Sequence, residues 1–352
     1  MTILDVLYAA GRPFSPIYGA LMRIRAQLYH RNVLKVASLP VPVISVGNLT
    51  MGGTGKTPTV RMLARLLQQK GYHPAVVSRG YGGTATKSVN VVSTGREILL
   101  SPGEAGDEPY LLASTVPGLP VLTGKKRALP CRYACDQLHC DAIILDDGFQ
   151  HLAVKRDLDL VLFNATTLAG NSRVFPGGEL REPVCALKRA DAILLTGLTP
   201  ANRGRAEAFK ALLESRFSHA PVFTSENMVS GLFLQTGEPL SAEKGNQPLF
   251  AFSGIAHPGR FLSLLADHNI DVVGCSQFVD HVQYSRKDVE KLVAQAEQCG
   301  AAALVTTRKD MVKIAELKID FPIYCLEIEA KPSPRFLEFL EDKFLNFRSN
   351  TV

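Results

Sequence analysis

Residues 42–60 read PVISVGNLTMGGTGKTPTV. An apolar run at 41–47 gives way to a glycine-rich turn, and then to Thr57–Lys70, where apolar positions recur at helical spacing. Strand, glycine turn and helix form the setting that a phosphate-binding loop requires. Glycines at 52, 53 and 55 let successive backbone N–H groups face an anion, and the helix N-terminus adds the positive end of its dipole. The cradle spans Thr50, Met51, Gly52, Gly53, Thr54, Gly55, Lys56 and Thr57. Lys56 is expected to reach the β- and γ-phosphates of ATP, and the Thr57 hydroxyl to ligate Mg²⁺. Pro58 at the helix start lacks an N–H that would be unpaired there anyway. The strict pattern G-x-x-x-x-G-K-[ST] asks for glycine at 50, where this chain has Thr50.

Outward from this loop, short runs rich in Val, Ile and Leu alternate with helical stretches. Strands are expected at 73–80, 119–124, 142–147, 157–164 and 191–197, with helices at 109–114 and 128–138. Near-continuous apolar strands of this kind are buried on both faces, so the expected fold is α/β. It is a P-loop NTPase-like, doubly wound, mostly parallel sheet. The Gly/Pro-rich stretch between Asn164 and Lys188 is too long for a simple connection and reads as a functional loop. A second, smaller α/β domain follows. Its strands are expected at 248–256, 272–278, 301–307 and 321–328, and its helices at 257–269, 285–299 and 334–347. Ser285 with Asp288 three residues on is a capping box for the second of these helices. The expected division is 1–37, a membrane-anchoring segment; 38–217, the P-loop domain; 218–247, an extended connector; and 248–347, the C-terminal domain.

The formal net charge is +6. Arg12, Arg23, Arg25, Arg31 and Lys35 against Asp5 alone put +4 of it, five minus one, into residues 1–37. The remainder is nearly neutral, which speaks against a nucleic-acid surface. The same N-terminal stretch is apolar, but Asp5, Arg12, Pro13 and Pro16 interrupt it, so no run of about 18 apolar residues spans a bilayer. An amphipathic helix lying on an anionic membrane face is the expectation. Seven cysteines without a regular framework suit a reducing compartment. Cys131, Cys135 and Cys140 with His139 lack zinc-site spacing.

Asp146 and Asp147 end the apolar run AIIL, the position of a carboxylate that holds the metal of a phosphoryl-transfer site. Asp107 and Glu108 follow Gly106. From spacing alone, an acid there is either a base for an attacking hydroxyl or a helix N-cap.

Together, GNLTMGGTGKTP (47–58), SRGYGG (78–83), GDEP (106–109), LDDGFQH (145–151), LREP (180–183), GIAHP (254–258) and VDHVQYS (279–285) resemble the tetraacyldisaccharide 4'-kinase family, the lipid A 4'-kinases of Gram-negative bacteria. The likeness covers nearly the whole chain, and this family's own loop has the same non-glycine start. It implies ATP- and Mg²⁺-dependent transfer of the γ-phosphate to the 4'-hydroxyl of a tetraacylated glucosamine disaccharide 1-phosphate. The work would be done at the cytoplasmic face of the bacterial inner membrane, by a peripheral or monotopic protein with no nucleic-acid or obligatory protein partner. By motif, Asp107 resembles the catalytic base, oriented by His281; Lys56 and Asp147 complete the catalytic set. Thr57, Asp146 and Asp147 correspond to metal-associated positions. Arg79, Tyr81, Glu108, Arg127, Gln150, His151 and Arg181 correspond to substrate-contacting positions, Arg127 and Arg181 as cations near phosphate.

Two other readings compete. Thr307-Arg308-Lys309-Asp310 comes within one residue of the guanine signature [NT]-K-x-D, which would suit a regulatory GTPase. A peripheral membrane module holding ATP as a structural ligand would have no need of Asp107, Asp146 and Asp147.

Overall fold

The structure, a computed structural model, describes residues 3–234, 238–240, 247–255, 258–279, 282–314, 317 and 319–349. Two helices come first, α1 (Ile3–Gly11) and α2 (Ser15–His30), joined by a single 3₁₀ turn. The alternating region then runs β1 (Val43–Asn48), α3 (Lys56–Gln69), β2 (Pro74–Ser78), β3 (Asn90–Thr94), α4 (Pro102–Ala105), α5 (Asp107–Thr115), β4 (Pro120–Thr123), α6 (Ala128–Leu138), β5 (Ala142–Asp146), β6 (Leu158–Asn164), β7 (Ala192–Leu198), α7 (Arg203–Arg216) and β8 (Val222–Leu234). It continues with β9 (Leu249–Ser253), α8 (Pro258–Asp267), β10 (Val272–Gln277), α9 (Arg286–Gln298), β11 (Ala303–Thr307), α10 (Arg308–Ile314), β12 (Ile323–Pro332) and α11 (Pro334–Ser349).

Among the described residues, twelve strands form one sheet, in the order β10-β9-β11-β12-β8-β7-β6-β1-β5-β2-β4-β3. Every pairing is parallel except β3 with β4 and β12 with β8. Strands β1, β5, β6 and β7 are buried along their whole length, as unbroken apolar runs require between two helical layers. The stretch expected to be an extended, β-stranded connector holds β8. It pairs with β7 through Val222–Glu226 and runs antiparallel to β12 from Ser225 to Leu234. Thus β8 belongs to both halves of the sheet. The capping box at Ser285 and Asp288 is formed, with Ser285 Oγ accepting from the Asp288 N–H.

Helix α3 buries Val60, Leu63, Ala64 and Leu67, an i, i+3, i+4, i+7 stripe, in the main core. Phe336, Leu340 and Phe344 of α11 enter that same core, and the Tyr72 hydroxyl donates to the Phe344 carbonyl at 2.9 Å. Helix α3 also meets β12, where Arg61 forms a buried ion pair with Glu327 and Arg65 lies 2.7 Å from Glu329. Cys131 and Cys140 are buried in the apolar cluster under α6, and burial pushes both thiols up to about 12, so neither is a thiolate.

Among the described residues no helix is long and apolar enough to cross a membrane. The N-terminal segment instead leaves Val6, Leu7, Phe14, Ile17, Leu21 and Ile24 exposed. Its other side is anchored: Ser15 Oγ donates to the Val174 carbonyl at 2.7 Å, Tyr18 packs edge-on against Phe175, and Arg25 donates to the Gln150 carbonyl at 3.1 Å.

Candidate active site

The loop 50–57 leaves the C-terminal end of β1, flanked by the ends of β5 and β6. Gly55 holds φ +75°, and a Cβ there would press on the Thr196 hydroxyl at 3.0 Å, so both conformation and space demand glycine. Three side chains brace the loop through its carbonyls. Asn48 Nδ2 donates to Thr50 O at 2.7 Å, Asn164 Nδ2 to Gly53 O at 3.2 Å, and Thr196 Oγ1 to Thr54 O at 2.8 Å. With its carbonyls tied to neighbouring strands, the loop is held rigidly ahead of the α3 N-terminus, the arrangement that receives an anion. Thr50 is buried and pairs as an antiparallel bridge with Leu180. Met51 N donates to Glu179 O and Arg181 N to Leu49 O, both at 2.8 Å. Glycine would gain nothing at position 50; an extended residue keeps the 179–181 segment in register.

That pairing delivers Arg181. Its guanidinium bonds both carboxylate oxygens of Asp147 at 2.8 and 3.0 Å, and Lys56 Nζ lies 3.5 Å from the same carboxylate. Arg127, buried at the start of α6, donates to the Asp147 carbonyl at 2.7 Å. Asp147 has φ +52°, a strained value for a non-glycine residue, which these three cations over-determine. Burial alone would raise its carboxyl, but Lys56, Arg181 and Arg127 hold it below the ordinary aspartate value. Asp146, its neighbour, is the opposite case. Its side chain is buried, its Oδ1 has no partner, and burial, reinforced by Glu108, pushes its pKa up to about 7. Adjacent carboxyls are therefore driven apart, which is how a site assigns two acids two roles.

Beyond Asp147, Gln150 Nε2 donates to Asn48 O at 2.9 Å. The buried Nε2 of His151 is unbonded, and burial together with Arg127, Arg156, Arg25 and Arg79 lowers this imidazole to about 4. A neutral histidine amid four guanidinium groups marks an anion-attracting surface that α2 reaches through Arg25.

The other wall is α5. Its N-cap is Gly106, and Asp107 is its first residue rather than its cap. The SRGYGG loop packs here: a Cβ on Gly106 would strike the Tyr81 carbonyl at 2.5 Å. Arg79 and the Tyr81 side chain are exposed on that loop. Helix α10 faces α5 with two lysines one turn apart. Lys309 pairs with Glu108, and Lys313 Nζ lies 3.7 Å from Asp107 Oδ2 and 3.2 Å from Asp310 Oδ1. Burial raises Glu108, yet Lys309 and Lys56 bring it below its ordinary value.

Asp310 is completely buried. It accepts from Gly254 N at 3.0 Å, Tyr284 Oη at 3.1 Å and Thr307 Oγ1 at 2.7 Å. The guanine reading of Thr307–Asp310 is therefore corrected: Asp310 is consumed inside the fold and Lys309 by Glu108, so neither faces a base. Tyr284 Oη follows suit, burial and Asp310 raising it.

The structure thus gathers the loop, Asp107, Glu108, Arg127, Asp146, Asp147, Gln150, His151 and Arg181 at one end of the strands, with Arg79 and Tyr81 on the overlying loop. His281 lies outside the described residues. Sequence reasoning missed Lys309, Lys313 and Asp310 as members of the site wall. The signal was present in RKDMVK, which sets two lysines four apart on one helix face. Asn164 and Thr196, the braces, carried no signal, because a lone polar residue at a strand end has many uses.

The family model described as tetraacyldisaccharide-1-P 4'-kinase matches residues 7–345. Among curated relatives, the tetraacyldisaccharide 4'-kinase of Desulfotalea psychrophila is 46% identical over 336 residues, covering 96% of both chains. That of Geobacter sulfurreducens is 42% identical over 334 residues, covering 94% of this chain and 91% of the relative. Among solved structures, the "apo" form of LpxK from Aquifex aeolicus in complex with ATP superposes with a TM-score of 0.79 at 32% identity, over 97% of this chain and 99% of that one.

Proposed function

This chain belongs to the tetraacyldisaccharide-1-P 4'-kinase family, kinases of lipid A biosynthesis, and we propose that it transfers the γ-phosphate of ATP to the 4'-hydroxyl of a tetraacylated glucosamine disaccharide 1-phosphate. The observation that carries the reading is the convergence of Lys56, Arg127 and Arg181 on Asp147 beside a braced phosphate loop. In the reaction the 4'-oxygen attacks the γ-phosphorus, the bond from that phosphorus to the β,γ-bridging oxygen breaks, and ADP departs. Asp107 takes the hydroxyl proton; in a loose phosphoryl transfer that proton leaves late, so a carboxylate suffices as base. Lys56 binds the β- and γ-phosphates, while Arg181 and Arg127 balance charge that spreads over the equatorial oxygens. By its motif, His281 is proposed as the residue that orients Asp107.

Thr57 and Asp146 are the residues that would hold Mg²⁺, with Asp147 alongside. The unbonded, buried Oδ1 of Asp146 fits a hard cation that takes one or two carboxylates and completes its shell with phosphate and water. Bound there, the metal neutralises phosphate charge. Asp147 is committed to Arg181 and Lys56 and serves chiefly to arrange them.

Arg79, Tyr81, Gln150 and His151 line the side proposed for the sugar and its 1-phosphate. The exposed apolar faces of α1 and α2, with the basic surplus of residues 1–37, support peripheral or monotopic attachment at the cytoplasmic face of the inner membrane. A cleft of about 360 Å³ between α2 and the 173–183 loop, lined by Arg12, Pro16, Gly19, Arg23, Val174 and Pro183, suits acyl chains beneath an anionic head. We retain the division into a P-loop unit at 38–217, a β-stranded connector at 218–247 and a C-terminal unit at 248–347, with α11 returning to the first core. The test is transfer of label from [γ-³²P]ATP to detergent-dispersed disaccharide 1-phosphate. Label recovered only as free phosphate defeats the reading.

A further inference from the structure

The cations around the phosphate loop are already engaged: Lys56, Arg127 and Arg181 bond Asp147, and Lys309 bonds Glu108. Arg260, the third residue of α8, is different. It follows the GIAHP motif closely and lies half-buried, with no carboxylate or carbonyl bonded to it among the described residues. Its guanidinium lies against Gly197, at the end of β7. A Cβ on Gly197 would meet Arg260 Nη2 at 2.2 Å and Cζ at 3.2 Å, and Gly197 has φ +67°. Only glycine leaves that space.

The neighbour of Gly197 is Thr196, whose hydroxyl bonds the loop at Thr54 and which a Cβ on Gly55 would touch at 3.0 Å. Arg260 is therefore one residue from the brace of the phosphate loop, on the side opposite Asp147. Withdrawing a guanidinium from water without a partner is costly, and its burial lowers its proton affinity accordingly. A planar five-donor cation presented in this way suits the paired oxygens of a phosphate.

We infer that Arg260 is a phosphate ligand for the bound nucleotide, supplied by the half of the chain beyond β8 to the loop of the half before it. The inference rests on the nucleotide reading of the loop and adds a residue that no sequence motif marked. The passage of the chain from β9 into α8 thereby acquires a functional reason, since it sets Arg260 facing β7.

The test uses the full-length protein in detergent, comparing wild type with Arg260→Ala, Arg260→Lys and Lys56→Ala. Dissociation constants are measured for Mg-ATP, inorganic triphosphate and adenosine, with thermal unfolding alongside. Arg260→Ala is expected to weaken Mg-ATP and inorganic triphosphate alike by about tenfold or more, the usual size of one charge-assisted hydrogen bond. Adenosine binding stays level, and Arg260→Lys recovers part of the loss. Stability is expected to hold or rise, because no bonded partner within the chain is lost, whereas a purely structural role would lower it. Unchanged Mg-ATP affinity in Arg260→Ala, with Lys56→Ala weakened, overturns the inference. A loss seen with ATP but not with inorganic triphosphate overturns it in favour of a base contact. Unchanged affinity in both Arg260→Ala and Lys56→Ala overturns the loop reading itself.

Discussion

Lys313 Nζ sits 3.7 Å from Asp107 and 3.2 Å from Asp310, joining an acid at the head of α5 to one sealed within the C-terminal half. The side chain of Lys313 is 2% exposed and that of Asp310 0%. Replacing Lys313 with Met leaves a buried carboxylate unpaired, an error that costs about 3–5 kcal/mol. Denaturant unfolding is expected to register that loss, and kcat to fall as Asp107 loses its neighbour. Adding Asp310→Asn should restore much of the stability without restoring kcat. Equal recovery of both would reduce Lys313 to a structural role.

Lys56→Ala is expected to abolish or severely weaken transfer. Asp147 then keeps Arg181 but loses the ammonium nearest the loop. A folded variant with wild-type turnover would remove this loop from the chemistry.

Asp107→Ala is expected to lower kcat by about 10²–10⁴-fold, the range for a positioned base, with far less effect on ATP affinity. His281→Ala should lose less, and the double variant less than the product of the two, since residues acting as a unit are non-additive. Steady-state kinetics on all three variants decides it; losses that multiply would separate the pair.

Asp146 carries a pH signature. Burial raises its pKa from 3.8 to about 7, so the native state keeps a proton that the unfolded chain releases above 3.8. The stability contributed by this carboxyl is complete below 3.8 and is lost as pH rises through about 7. Asp146→Asn should therefore melt increasingly higher than wild type between pH 4 and pH 8, while Mg²⁺-dependent transfer falls by roughly 10²-fold or more. A melting difference that stays flat with pH would mean the carboxyl titrates normally.

Membrane attachment is better tested by substitution than by truncation, because Ser15, Tyr18 and Arg25 of α2 hold the body of the protein. Changing Leu7, Phe14, Ile17, Leu21 and Ile24 to serine should move the protein from membrane to soluble fractions and leave nucleotide affinity intact. High salt alone should extract the unaltered protein only partly, since the apolar share is not screened. Flotation with anionic vesicles reports it, and unchanged partitioning would place the attachment surface elsewhere.

The alternating half of the fold was legible because fully buried parallel strands announce themselves as unbroken Val/Ile/Leu runs, and Gly-Lys-Thr between strand and helix is hard to misplace. Asp146 and Asp147 followed from the same logic. Edge strand β3 did not, since VNVVSTG alternates weakly and pairs on one side only. Helix α10 hid inside a nucleotide-like signature. The pairing of Lys309 and Lys313 with α5 joins residues about 200 positions apart, a separation no local pattern encodes.

The return of α11 to the first core has a consequence for how the protein matures. Val60, Leu63 and Phe223 are covered by Phe336 and Leu340, which the ribosome adds more than 100 residues after Phe223. A nascent chain that has just finished β8 still presents that apolar face to water. Its phosphate loop then sits on a half-roofed layer, which chaperones would shield and proteases would find. The apolar core of the nucleotide half is complete only once the C-terminal helix has been added.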